Sequence, residues 1–304
     1  MSEPLHHAAL TPKRYVVLVN RHAGAVLERG EAAFVDRIRK AFARCGETAE
    51  VLPLLPDELD GAARALPVEP GLVPVVAGGD GTLTALLPAL IERGGPCALL
   101  PIGTMNFLGH DLGFGDDLER NVERLCRGRP VAIDLARLND TPFHSISGLG
   151  FPVAIATERE RMRRRIPFSR PLAVLATVVL AAVRSRSVEV TLETPDGDQV
   201  RHADAVIVTN NVFEGPPWRR RHLDEGLLEV LVIEAPGLVA RVRAALMILA
   251  GRWRDLPDLE QYRTGRAVLR RARRTRVTID GELVRVPEVL TFTVLPRALE
   301  IIAA

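Results

Sequence analysis

The sequence predicts an α/β domain built on a parallel sheet, followed by a second domain of mostly antiparallel β structure. Three observations predict it. Up to about residue 130 the chain repeats one grammar, a short apolar run, a Gly or Asn turn and an amphipathic helix, which is how βαβ units read. Beyond that point apolar and polar residues alternate singly, as on strands with one wet face. The chain, at 304 residues, is also longer than one core usually serves.

In the first half, residues 15–19 lead to Asn20 and Gly24 and then a helix expected through about Cys45. Residues 72–77 lead to Gly78-Gly79-Asp80-Gly81-Thr82 and a helical pattern from Leu83. Residues 98–101 lead to Gly103-Thr104-Met105-Asn106, with Thr104 expected to cap a helix toward Leu112. Turns that follow parallel strands gather beyond the carboxyl ends of the sheet, so the three turns are expected to form one site. In the second half, Val188, Val190 and Leu192 alternate with Glu189, Thr191 and Glu193, then residues 194–197 turn the chain and 206–208 is expected to return as the hairpin's second strand. Further strands are expected at 131–138, 227–234, 276–279 and 290–295. Helices are expected near 153–184, broken by Pro167 and Pro171, and near 238–250.

Charge and cysteine usage exclude several classes. The 40 basic and 38 acidic residues leave a formal charge of +2 with 4% aromatic residues, which speaks against a nucleic-acid partner. Cys45, Cys97 and Cys126 are odd in number and lack C-x-x-C spacing, so neither a disulfide framework nor a zinc site is expected and a reducing, cytoplasmic setting is. No basic-then-apolar leader and no apolar stretch of membrane-spanning length is read from the sequence.

The run Gly78-Gly79-Asp80-Gly81-Thr82 carries the chemistry. A strand that passes through glycines into a helix start presents backbone N–H groups beside the positive end of the helix dipole, which is an anion site. Asp80 is the odd member. A carboxylate 4 Å from a phosphate charge is repelled by about 1 kcal/mol in water and about 4 kcal/mol at an intermediate dielectric, so a cation is expected between them, and Mg²⁺ suits the oxygen ligands. Only Lys13 and Lys40 exist, neither after a glycine, so a G-x-x-x-x-G-K-[ST] loop is excluded; Thr84 stands where a dinucleotide fingerprint needs its third glycine.

With Gly78-Gly79-Asp80-Gly81-Thr82, the loop Pro101-Ile102-Gly103-Thr104-Met105-Asn106, the stretch Glu225-Gly226-Leu227-Leu228-Glu229-Val230 and the late tripeptide Asp280-Gly281-Glu282 in order, the chain resembles the diacylglycerol kinase catalytic-domain family, in particular its bacterial soluble lipid kinases. The resemblance runs from Val16 to the C-terminus. It implies a three-layer α/β domain like those of NAD kinases and phosphofructokinases over about 11–130, then a β-sandwich lipid-substrate domain over about 131–291, and leaves open that a strand over 292–304 rejoins the first domain. It implies ATP and Mg²⁺ as cofactors. Asn20, Gly78, Gly79, Asp80, Gly81, Thr82, Leu83, Thr84, Gly103, Thr104 and Asn106 would bind nucleotide, Asp80 would sit at the Mg²⁺–phosphate centre, and Glu282 would accept the lipid hydroxyl proton. A structural Mg²⁺ would map to the carbonyls of His222 and Leu227 and the side chain of Glu225, which stands where Asp is usual.

Asp280 and Glu282 are read together as catalytic because alternate residues of a strand end point to one side. On its own the tripeptide reads more readily as an Asp-Gly hairpin turn; the family motif turns the reading to catalysis by Glu282. An NAD kinase-like enzyme, whose family shares the glycine loop, remains as one alternative, and a non-catalytic lipid- or nucleotide-binding protein, motivated by the departures from the family pattern at Ala85, Phe107 and Pro152, as another. The basic run Arg159, Arg161, Arg163, Arg164 and Arg165 ahead of apolar residues 172–180 reads either as a solvated face or as a place of peripheral membrane contact. The sequence leaves a homodimer open.

Overall fold

The structure is a computed structural model that describes residues 13–163, 171–185, 187–194, 197–215, 218–257, 259–272 and 275–304. It divides into one unit that runs to Val131 and includes Glu300–Ala304, and a second unit, Ala132–Leu299.

The first unit contains β1 (Arg14–Asn20), α1 (Gly24–Arg29), α2 (Glu31–Arg44), β2 (Thr48–Leu54), α3 (Leu59–Ala65), β3 (Leu72–Gly78), α4 (Asp80–Arg93), β4 (Ala98–Pro101), α5 (Phe107–Asp111) and α6 (Leu118–Arg127). The strands form a parallel sheet in the order β2-β1-β3-β4. β3 is buried at all seven positions, as a strand covered by helices on both faces must be. α2 turns Phe34, Val35, Ile38 and Phe42 inward, and α4 does the same with Leu83, Leu86, Leu87 and Leu90. The single helix expected through Cys45 is two helices, because Gly30 adopts φ 81° and ends the first. The chain's last residues lie beside β4: Cys97 donates to the Glu300 carbonyl and accepts from the Ile302 N–H, both at 2.9 Å.

The second unit starts within β5 (Arg129–Leu138) and continues through β6 (Thr141–Phe143), β7 (Ile146–Gly150), α7 (Phe151–Arg163), α8 (Pro171–Arg184), β8 (Val188–Thr194), β9 (Gly197–Ala203), β10 (Ala205–Asn210), β11 (Phe213–Glu214), β12 (Arg219–Arg220), β13 (Leu228–Ile233), α9 (Leu238–Leu249), β14 (Leu259–Thr264), β15 (Arg266–Arg270), β16 (Thr275–Ile279), β17 (Glu282–Val286) and β18 (Val289–Ala303). Two six-stranded sheets have the orders β14-β13-β10-β7-β16-β17 and β6-β5-β18-β15-β8-β9. Val208, Val230 and Ile279 of the first meet Leu192, Leu269 and Phe292 of the second in one buried cluster, which makes the unit a β-sandwich.

The hairpin expected between 188–192 and 206–208 is corrected by the structure. β8 pairs with β9 across seven residues, whereas β10 lies in the other sheet between β13 and β7. Asp204 makes that corner: its carboxylate accepts from the Ala235 N–H at 2.8 Å and from Arg241 Nε at 2.7 Å. The helical stretch expected near 153–184 is α7 and α8, and Pro171 opens the second; Pro167 lies outside the described residues. No helix among the described residues is long and apolar enough to cross a membrane.

Candidate active site

In the first unit, register places the ends of three strands side by side, with Val19 opposite Ala77 and Gly78 opposite Pro101. The turns that follow are bonded to one another. Asn20 Nδ2 donates to Thr82 Oγ1 at 2.8 Å, and the Ile102 N–H donates to the Gly78 carbonyl at 3.0 Å. The Asn20 Oδ1 accepts from the His22 N–H at 2.9 Å, which fixes the amide's orientation. Asn20, Gly78, Gly79, Thr82, Gly103 and Asn106 are thus brought together.

The glycines are required by space. None of Gly78, Gly79, Gly81 and Gly103 has positive φ. A Cβ on Gly78 would overlap the Thr82 side chain, and one on Gly103 would stand 2.5 Å from Gly79 Cα and 2.7 Å from Asn106 Oδ1. The two loops therefore meet backbone to backbone, an approach that only glycine allows. Helix α4 starts at Asp80, earlier than the apolar pattern from Leu83 indicates, which puts the Asp80 carboxylate at the positive end of a 14-residue helix. Thr82 and Leu83 both donate their N–H to the Gly79 carbonyl, at 3.0 and 3.1 Å. Thr84 bonds its hydroxyl back to the Asp80 carbonyl at 2.9 Å. Leu83, expected to help bind nucleotide, is fully buried with its N–H committed, so its part is packing.

The second loop also corrects an expectation. Thr104 is exposed and does not cap the helix; the N-cap position belongs to Asn106, in the left-handed region at φ 48° and ψ 45°. Its amide instead closes the loop, accepting from the Gly103 N–H at 3.0 Å and donating to the Gly103 carbonyl at 2.9 Å. Asparagine tolerates that backbone better than most residues do.

In the second unit, Asp280-Gly281 is a two-residue turn between β16 and β17, with φ 45° and 86° and Ile279 opposite Glu282, the type I′ geometry that Asp-Gly favours. The turn separates the two carboxylates. Asp280 points inward and accepts from the backbone N–H groups of His144, Ser145 and Ile146 at 3.0, 2.9 and 2.9 Å. A carboxylate holding three amides of the β6–β7 turn is a structural anchor, a role the sequence reading of Asp280 as catalytic did not include. Glu282 is exposed, and Arg159 of α7 donates to the Gly281 carbonyl at 2.9 Å and stands 3.7 Å from the Glu282 carboxylate. Asp280→Ala is expected to lower stability by about 3 kcal/mol, since three amides lose their acceptor in the interior; urea denaturation checks this.

Sequence reasoning missed the buried polar network around that anchor. Arg220, 4% exposed, donates to the carbonyls of His144 and Asn210 and to Ser145 Oγ, and its guanidinium lies 4.8 Å over the Phe213 ring. Asn210 donates to the Asp134 carbonyl at 2.8 Å, and the Asp134 carboxylate accepts from the N–H groups of Gly226 and Arg297 at 2.7 and 2.8 Å. The sole signal was a single acid, Asp134, inside an apolar strand. The network fixes the loop that carries the expected metal ligands. There Glu225 accepts from the Val212 N–H and the Leu227 carbonyl from the Asn211 N–H, both at 3.0 Å, while His222 is exposed. Among the described residues no group of three or more His, Cys, Asp or Glu side chains is placed to hold a metal; the expected set has one carboxylate and two carbonyls, oxygen donors of the kind Mg²⁺ takes.

Residues 14–138 match the family model of the diacylglycerol kinase catalytic domain, and residues 147–303 match that of the YegS C-terminal NAD kinase beta sandwich-like domain. A probable lipid kinase YegS-like protein of Klebsiella pneumoniae is 41% identical over 87 residues, 28% of this chain and 29% of that protein. A probable lipid kinase YegS of Salmonella heidelberg is 37% identical over 101 residues, 32% of this chain and 33% of that protein. The alignments thus span about a third or less of these curated relatives. A crystal structure of a putative diacylglycerol kinase from Bacillus anthracis superposes with a TM-score of 0.72 over 99% of both chains at 17% identity, which is a likeness of fold.

Proposed function

This chain belongs to the diacylglycerol kinase catalytic-domain family with a YegS-type C-terminal domain, and from that premise we propose that it transfers the γ-phosphate of ATP to a hydroxyl of a lipid. The observation that carries the proposal is the joining of three strand-end turns through the Asn20–Thr82 bond and the Gly79–Gly103 approach. A Cβ at Gly78 or Gly103 would clash with Thr82 or with Gly79 and Asn106 and force the loops apart, so the glycines keep the turns that would take a triphosphate together. Main-chain amides at the start of α4 hold phosphate oxygens, Asn20 holds Thr82 in place, and Asn106 shapes the second loop. Asp80 would hold Mg²⁺, which supplies neutralisation of the phosphate charge. Glu282 takes the proton from the lipid hydroxyl as its oxygen bonds to the γ-phosphorus and the bond to the leaving ADP oxygen breaks; Arg159 beside it offers a positive charge to the reacting groups. His222, Glu225 and Leu227 would hold a structural ion in the loop fixed by Asp134. Since the acceptor lives in a bilayer, the protein works at a membrane surface from the cytoplasm.

Incubation with γ-labelled ATP, Mg²⁺ and a total lipid extract tests the reading. Label is expected in a chloroform-soluble product. Label transferred to NAD, or no transfer at all, overturns it.

A further inference from the structure

The arginine run ahead of α8 is less available than its sequence indicates. On α7, Arg159 is tied to the β16–β17 turn, and Arg161 to Glu158, which also holds Arg184; Arg164 and Arg165 lie outside the described residues. The unpartnered apolar surface lies elsewhere. Of the eleven large hydrophobic side chains exposed among the described residues, five sit on the packed helices α8 and α9: Leu175, Val183, Leu238, Val239 and Leu246. On α9 they form a stripe. Val239, Val242, Arg243, Leu246 and Ala250 follow the helical repeat and, with Met247, line a shallow groove of about 420 Å³, and Val239 is 84% exposed.

The stripe itself carries basic side chains and no acidic one. From Ala235 to Arg254 the sequence holds four arginines and no Asp or Glu. Arg241 turns inward to Asp204, Arg254 to Glu229, and Arg252, at the end of the groove, pairs with Asp255, whereas Arg243 is exposed on the stripe with no carboxylate partner among the described residues. A second copy of the chain is a poor occupant, because in a two-fold dimer the patch faces itself and Arg243 meets its own like charge. An apolar stripe whose one uncompensated charge is the exposed cation Arg243 is complementary to an anionic bilayer.

We propose that the outward stripe of α9, centred on Val239, Arg243 and Leu246, docks the protein on an anionic lipid surface. The inference rests on the lipid-kinase reading only for the purpose of the docking; the binding itself needs neither nucleotide nor turnover.

The test is co-sedimentation of the full chain with phosphatidylcholine vesicles, with and without phosphatidylglycerol, in the absence of nucleotide. The wild type is expected to bind the anionic vesicles preferentially and to be released by salt. Val239→Asp is expected to lower that partition about tenfold and Arg243→Glu by about fivefold or more. Val200→Asp, at an exposed valine of β9, is expected to leave it unchanged, with the melting temperatures of all three variants close to the wild type. Equal partition of wild type, Val239→Asp and Arg243→Glu overturns the proposal. So does equal binding to both vesicles, or a dimer that Val239→Asp dissolves without any vesicle binding. Phosphorylation of detergent-dispersed lipid, which needs no bilayer docking, reports on the kinase reading separately.

Discussion

Glu282→Gln is expected to lower kcat by about 10²- to 10⁴-fold while nucleotide affinity stays close to the wild type. The amide keeps the shape of the side chain but has no basic oxygen to receive the lipid proton. Glu282 is exposed at the start of β17, and its side chain makes no hydrogen bond to the sandwich core among the described residues, so the substitution removes little stability. The contrast with Asp280, two residues earlier, sharpens the test. Asp280→Ala acts on folding through three backbone amides, whereas Glu282→Gln acts on turnover alone. Steady-state kinetics together with calorimetric ATP titration separates them; full turnover by Glu282→Gln removes it as the base.

The second large effect is expected at the contact between the two glycine-bearing loops. In Gly103→Ala the new methyl group arrives 2.5 Å from Gly79 Cα and 2.7 Å from Asn106 Oδ1. Neither neighbour is the flexible end of a side chain free to swing away. Asn106 is held by two bonds to Gly103 itself, and Gly79 accepts from both Thr82 and Leu83. The glycine loop has to shift, so ATP affinity is expected to fall at least about tenfold, with a stability loss of about 1 to 3 kcal/mol. Gly24→Ala is the control, since nothing lies within 4 Å of a Cβ there. Calorimetric titration and urea denaturation of both variants check the contrast.

How far the sequence revealed this molecule depends on the range of the interactions involved. The parallel sheet was legible because β1, β3 and β4 are apolar runs that end in their own turn residues. The glycine loop was legible as a tight turn because its glycines answer a local demand for space. The strand Ala205–Asn210 was misassigned because a sheet-changing corner at Asp204 is built from Ala235 and Arg241, about 30 residues or more away, and nothing adjacent marks it. The pairing of Asp280 with Glu282 failed for a different reason. Alternation along a strand holds only within a strand, and a two-residue turn with both φ angles positive reverses the chain between them. The network through Arg220, Asn210 and Asp134 was invisible because its partners are separated by up to 163 residues.

The central claim is that Asp80 is tolerated in a phosphate cradle because a divalent cation stands between the charges. ATP affinity, measured by titration calorimetry with and without Mg²⁺ for the wild type and Asp80→Asn, tests it most directly. The account predicts that the wild type binds ATP at least about fivefold more tightly with Mg²⁺. It predicts that Asp80→Asn, freed of the repulsion, binds metal-free ATP more tightly than the wild type does and loses most of its dependence on the ion. The same Mg²⁺ dependence in both proteins would contradict it.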